Sequence, residues 1–137
     1  MPGELVLDAS VAAKLFIDEV GSDAARALAA TEMRFVAPDL VLVELANVAA
    51  KRLRRGEISR PLAERIVVSS RSLFRELAPA AELTDRAFVL SADHGLSTYD
   101  AMYVALAEAR SCDLATADGR LIARAGQARL TVTIRRF

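Results

Sequence analysis

Four carboxylates stand where a folded chain can use them for chemistry. Asp8 follows the apolar run Leu5-Val6-Leu7. Glu44 interrupts a long apolar stretch, Leu40 to Ala49. Asp100 follows Ser97-Thr98-Tyr99, and Asp118 follows Leu114-Ala115-Thr116-Ala117. An acid in such surroundings is expensive without a cation, a hydrogen-bond partner or a raised pKa. Three or four acidic side chains around one hydrated opening suit Mg²⁺ or Mn²⁺, which prefer oxygen ligands and retain water. Such a centre can activate water and neutralise charge on a phosphodiester, with no nucleophilic side chain.

Each acid also has a purely structural reading. Asp8 can end a strand or cap a helix, and Asp100 can belong to a capping box. Asp118 before Gly119 can be a cap or turn residue. Glu44 has the weakest structural reading, because polar residues in such apolar runs are seldom idle. Asp113 precedes its strand, so strand polarity puts it at the opposite sheet edge from Asp118. Asp93 is expected in solvent near a helix end.

Other chemistries lack their residues. Cys112 is the single cysteine and His94 the single histidine, which rules out an internal disulfide and a Cys/His zinc set. No G-x-S-x-G elbow is present, and His94-Gly95 reads as a helix end with Gly95 at positive φ. A phosphoacceptor phosphatase would want an aspartate where Ser10 stands. A receiver domain would want a late strand-ending lysine, and Thr133-Ile134-Arg135 has none. A structure-specific DNA nuclease stays open as a reading, although the chain lacks the length for added DNA-grasping elements.

The elements that must position the acids follow from pattern. Leu5-Val6-Leu7 reads as a buried strand of a parallel sheet. Ser10 is expected to cap a helix over 11–17, and Ser22 one over 22–31. A strand over 34–37 ends at Pro38. A helix runs over 38–55, closed by Gly56, with an apolar middle that implies burial nearly all round. Ser59 caps a helix over 61–77 with Ile66, Val67, Leu73, Phe74 and Leu77 inward. A weak strand is read at 79–83, then helices over 84–93 and 98–110, the latter capped by Thr98 or Ser97. A strand at 114–116, a helix over 118–125 ended by Gly126, and a strand at 130–134 complete the chain. Strands alternating with helices imply a parallel sheet covered on both faces.

The 137 residues, 53% of them hydrophobic, are enough for one domain over 1–137 with a sizeable core. Apolar runs are too short for a membrane span, and Met1-Pro2-Gly3-Glu4 has no basic n-region, so a cytoplasmic protein without membrane association is expected. Eighteen basic and eighteen acidic residues cancel. The cations are arginines apart from Lys14 and Lys51. Arginine forks suit phosphate, and GC-rich coding gives the same bias. Lys14 reads as a surface or interface charge, with a place beside the acids as the other option. Lys51, Arg52, Arg54 and Arg55 read as a solvent-facing helix end that complements the dipole, with an RNA-facing rim or dimer edge as the alternatives.

Val6-Leu7-Asp8-Ala9-Ser10, Pro38-Asp39-Leu40 through Glu44, Leu96 through Ala107 with its Tyr99-Asp100-Ala101 core, and Leu114-Ala115-Thr116-Ala117-Asp118-Gly119-Arg120-Leu121 resemble the PIN-domain family. Within it they look like the VapC-type ribonuclease toxins. The segments span almost the whole chain in family order. The resemblance implies a three-layer α/β/α sandwich with a central, mainly parallel sheet. It implies Asp8, Glu44, Asp100 and Asp118 as catalytic and metal-binding residues, Mg²⁺ or Mn²⁺ as cofactor, and single-stranded RNA as substrate. Ser10 and Thr116 match small hydroxyl positions that support the site, where either could bond a carboxylate or a coordinated water. A homodimer and a cognate antitoxin whose basic tail covers the site are further expectations. The competing function is a non-catalytic RNA-binding or scaffold protein on the same fold.

Overall fold

A computed structural model describes residues 3–137; Met1 and Pro2, on which part of the N-terminal reading falls, lie outside the described residues. Five strands form the sheet: β1 (Glu4–Leu7), β2 (Arg34–Pro38), β3 (Glu76–Ala78), β4 (Asp113–Thr116) and β5 (Ile134–Arg136). Their order is β3-β2-β1-β4-β5 and every pair is parallel. β1 is central, with Val6 opposite Val36 on one side and Leu114 on the other. Leu5, Val6 and Leu7 are fully buried, as a strand covered on both faces requires.

The helices are α1 (Ala9–Lys14), α2 (Ser22–Ala29), α3 (Leu40–Arg54), α4 (Arg60–Leu73), α5 (Thr84–His94), α6 (Thr98–Arg110) and α7 (Gly119–Ala128). The chain steps from β1 through β2 to β3 in one direction, then from β3 through β4 to β5 in the other. Right-handed crossovers put those two sets of connections on opposite faces, which gives the three layers. α6 lies across β1, β2 and β4 with α5 behind it. Seven consecutive α6 residues, Ala101 to Ala107, are buried, and the alanines among them let the helix sit close to the sheet.

Several elements differ from the sequence reading. Asp8, not Ser10, caps α1, because its carboxylate accepts the Val11 N–H at 3.2 Å. Gly21 at φ +90 precedes α2, so Ser22 is already helical; its hydroxyl instead donates to the Ile17 carbonyl. α4 stops at Leu73, where Phe74 turns extended, and 76–78 pairs with β2 as β3. Residues 80–82 form a 3-10 turn rather than a strand. α7 runs through Gly126 and ends at Arg129 in the left-handed region. β5 begins at Ile134, where the expected strand ended. α3 is not buried all round: Val43 is 68% exposed and Asn47 faces solvent. Val67, expected inward, is largely exposed on α4.

Candidate active site

The sheet reverses its winding between β1 and β4, and that switch point is where open parallel sheets bind ligands beyond their strand ends. Asp8 follows β1 there, and Asp118 lies two residues past β4. α3 brings Glu44 to the same place, and α6 brings Asp100 in its first turn. The four acids, with Ser10, Asn47 and Tyr103, line one hollow of about 220 Å³. It adjoins a larger cleft of about 1060 Å³ lined by Glu44, Lys51, Tyr99, Asp100, Asp118, Arg120 and Arg124.

Cap and cleft geometry are combined in these residues. Asp8 and Asp118 are the N-caps of α1 and α7, Asp118 accepting the Arg120 N–H at 2.9 Å. Ser97 caps α6 by accepting the Asp100 N–H at 3.0 Å. Among the described residues the Asp100 carboxylate makes no return bond to the Ser97 backbone N–H, so the capping box is half-formed; the Ser97 hydroxyl lowers the carboxyl, which lines the cleft. Each aspartate thus sits at the positive end of a helix, which offsets part of the cost of crowding like charges.

Asp8 is the most enclosed of the four, at 5% exposure. Ser10 Oγ donates to Oδ1 at 2.5 Å and Thr116 Oγ1 donates to Oδ2. The two hydroxyl oxygens are occupied in turn by backbone donors: Ala117 N–H reaches Ser10 at 2.9 Å and Asp118 N–H reaches Thr116 at 3.0 Å. With those oxygens taken, each hydroxyl proton is directed at Asp8. The β4–α7 turn therefore fixes the orientation of the carboxylate that ends β1. Burial pushes the Asp8 carboxyl above its ordinary range, and these hydrogen bonds pull against that shift.

Glu44 has a partner that sequence reading missed. Tyr103, 2% exposed on α6, donates its hydroxyl to Oε1 at 2.5 Å. Residue 103 follows Asp100 by three positions, one helical turn, so a spacing signal existed; the polar tip of a tyrosine inside an apolar run was the clue. Burial raises the Glu44 carboxyl, the Tyr103 bond lowers it, and the charges of Asp8, Asp100 and Asp118 raise it again. Asp100 is raised by burial and then by Asp118. Burial and the neighbouring Glu44 charge raise the Tyr103 hydroxyl, so it stays a donor.

The acids share the hollow without closing on a point. Among the described residues no three acidic, histidine or cysteine side chains form a closed ligand cluster. The donors are all hard carboxylate oxygens, a set that suits a divalent cation keeping part of its water.

The other candidates separate. Asp113 is at the far end of β4, paired with Arg135 at 2.8 Å, and Asp93 is exposed. His94 ends α5, with Gly95 at φ +72. Lys14 is neither a solvent charge nor beside the acids: its ammonium binds the Val20 carbonyl at 2.6 Å and Glu19 at 3.3 Å. The basic end of α3 divides. Arg52 pairs with Glu19 and Glu57, Arg54 and Arg55 face solvent, and Lys51 lines the cleft.

The PIN domain family model matches residues 5–127, and on that match the chain belongs to this family. Ribonuclease VapC3 of Pyrobaculum aerophilum is 35% identical over 120 residues, covering 86% of this chain and 92% of the relative. Ribonuclease VapC9 of Mycobacterium tuberculosis is 36% identical over 130 residues, 95% of this chain and 97% of the relative. Among solved structures, PAE2754 from Pyrobaculum aerophilum superposes with a TM-score of 0.68 at 25% identity, over 96% of this chain and 82% of that one. VapC20 from Mycobacterium tuberculosis, described as a Sarcin-Ricin loop cleaving toxin, gives 0.70 at 20% identity, over 87% and 93%.

Proposed function

We propose that this chain is a divalent-metal-dependent endoribonuclease that cleaves single-stranded RNA, and that it is the toxin of a toxin–antitoxin pair. The observation that carries the reading is the convergence of Asp8, Glu44, Asp100 and Asp118, from four separate elements, on one hollow at the sheet's switch point. The names of the similar ribonucleases support the substrate class.

Asp8, Asp100 and Asp118 would hold the cation, Mg²⁺ or Mn²⁺, with Glu44 completing the acidic wall. Once bound, the cation would supply Lewis acidity toward the scissile phosphate and lower the pKa of the attacking water. The chain's own part is to hold the acids. Ser10 and Thr116 fix Asp8, Tyr103 fixes Glu44, and the caps of α6 and α7 fix Asp100 and Asp118.

An antitoxin partner is supported by two fold neighbours, VapBC2 from Rickettsia felis and a toxin–antitoxin complex from Klebsiella pneumoniae. Exposed apolar side chains support protein contacts: Val43, Val67 and Val68 on α3 and α4, and Phe88 and Val89 on α5. Among the described residues no helix is long and apolar enough to cross a membrane.

The test is cleavage of a labelled single-stranded RNA by the purified chain with Mn²⁺ or Mg²⁺. Asp8→Asn and Asp100→Asn should each lose at least about 100-fold in rate, by analogy with removal of a transition-state electrostatic group, and EDTA should abolish cleavage. Equal residual activity in both variants would mean a contaminant or another site. RNA binding without cleavage in the parent chain would leave the scaffold reading.

A further inference from the structure

The large cleft carries cations that the acidic hollow does not use. Glu44 and Lys51 share one face of α3, seven residues apart, which is about 10 Å along the axis. That is about a Debye length at physiological salt, so Lys51 is not simply a counter-ion to the acids. On the facing wall, Arg120, Ala123, Arg124 and Gln127 recur at helical spacing along α7. Arg120 acts on Asp100, whose carboxyl its charge stabilises. Arg124 lies higher: a Cβ on Gly95 would stand 3.5 Å from its Nη1, so its guanidinium rests against the α5–α6 turn at the cleft mouth. Among the described residues neither Lys51 nor Arg124 forms an ion pair, so both charges stay open to a ligand in the cleft.

Tyr99 is the second kind of group in the cleft. It is 65% exposed beside Asp100, on a helix whose next aromatic, Tyr103, is buried. An aromatic face left in water in a cleft that also holds two unpaired cations fits a ligand with an anionic backbone and flat, unpaired bases. A duplex has no free base face to offer it.

We propose that this cleft holds the single strand flanking the scissile phosphodiester, with Lys51 and Arg124 on backbone phosphates and Tyr99 stacked on a base. The proposal rests on the nuclease reading for the position of the scissile bond, and it assigns substrate-holding residues outside the four acids. It also explains why so few aromatics suffice: one exposed ring placed next to the acids does what a larger aromatic surface does elsewhere.

Binding is tested apart from cleavage, by fluorescence anisotropy with a labelled twelve-nucleotide single-stranded RNA and the Asp100→Asn chain across a KCl series. Joint Lys51→Gln and Arg124→Gln substitution should weaken binding and flatten the log–log salt slope by about 1.4, since each single-strand phosphate contact contributes about 0.7. Tyr99→Ala should weaken binding about tenfold with the slope unchanged, and Tyr99→Phe should restore it. In the otherwise unsubstituted chain the cation pair should raise KM with kcat nearly kept. Wild-type-like binding by the Gln pair, or Tyr99→Phe as weak as Tyr99→Ala, overturns the proposal. If the parent chain binds RNA in this cation-dependent way but cleaves none, the strand cleft stands and the nuclease reading falls. If it cleaves RNA and the cleft variants bind as the parent does, the reverse holds.

Discussion

At the scale of single residues Asp8 and Asp100 are held differently, and that difference is measurable. Asp8 accepts from two hydroxyls and a backbone N–H. An asparagine there brings two donor hydrogens toward hydroxyls already committed to donate. Asp8→Asn should destabilise the metal-free fold by about 1–3 kcal/mol, the usual cost of a buried unpaired polar group. Asp100 has only the Ser97 hydroxyl beside it and is repelled by Asp118, whose effect is the larger. Asp100→Asn should therefore raise the melting temperature of the metal-free chain, by about 3 °C for about 1 kcal/mol, while abolishing cleavage. Thermal unfolding in EDTA compares the two directly, and a loss of stability in both would contradict the account. Tyr103→Phe removes the donor to Glu44 together with the oxygen that faces the Ala9 backbone N–H. If the cation is bound as proposed, its affinity, read by titration calorimetry with Mn²⁺, should fall about 10–100-fold, as for other outer-shell partners of metal ligands.

At the scale of elements, α6 is the piece on which the site depends. Its buried run crosses three strands, its first turn presents Asp100 and its second supplies Tyr103. Ala107 has no exposed surface, so Ala107→Leu should overpack the α6–sheet contact by about 1–3 kcal/mol. The lost stability would be seen in urea unfolding, and cleavage should fall with it because the helix carries two site residues. Gly95 links α5 to α6 at φ +72 with room around it apart from Arg124. Gly95→Ala should cost about 1–2 kcal/mol through the left-handed backbone alone.

For the whole molecule, the site is a charged defect in an otherwise apolar interior. Asp8, Glu44 and Asp100 all have folded-state pKa values raised chiefly by burial. A carboxyl that is raised on folding binds more protons in the native than in the unfolded state. Its stability contribution is complete below the ordinary carboxylate range and is lost as pH rises through the raised value. The metal-free chain should accordingly melt higher at mildly acidic pH than at neutral pH. Mn²⁺ should stabilise it most at neutral pH, where the acids are ionised, and least in acid. A melting profile that rose toward neutral pH in EDTA would contradict the burial argument.

The sequence by itself determined the alternating parallel architecture, the cap Ser59, the αL stop at Gly95 and the identity of the acids brought to one hollow; it left the α6 cap between Thr98 and Ser97, and the structure gives Ser97. These rest on local information: period, turn chemistry, and carboxylates lodged at the ends of apolar runs. Tertiary structure alone decided the rest. Residues 76–78 become β3 because the edge of β2 is available to pair with them, a contact no local window contains. Ser10 gives up the cap because Asp8 and the Ala117 N–H, 107 positions away along the chain, claim its hydroxyl. Glu44 meets Tyr103 across 59 residues. Sequence patterns carry the energies of neighbours along the chain, whereas the partner of a buried polar group is whatever folding sets beside it.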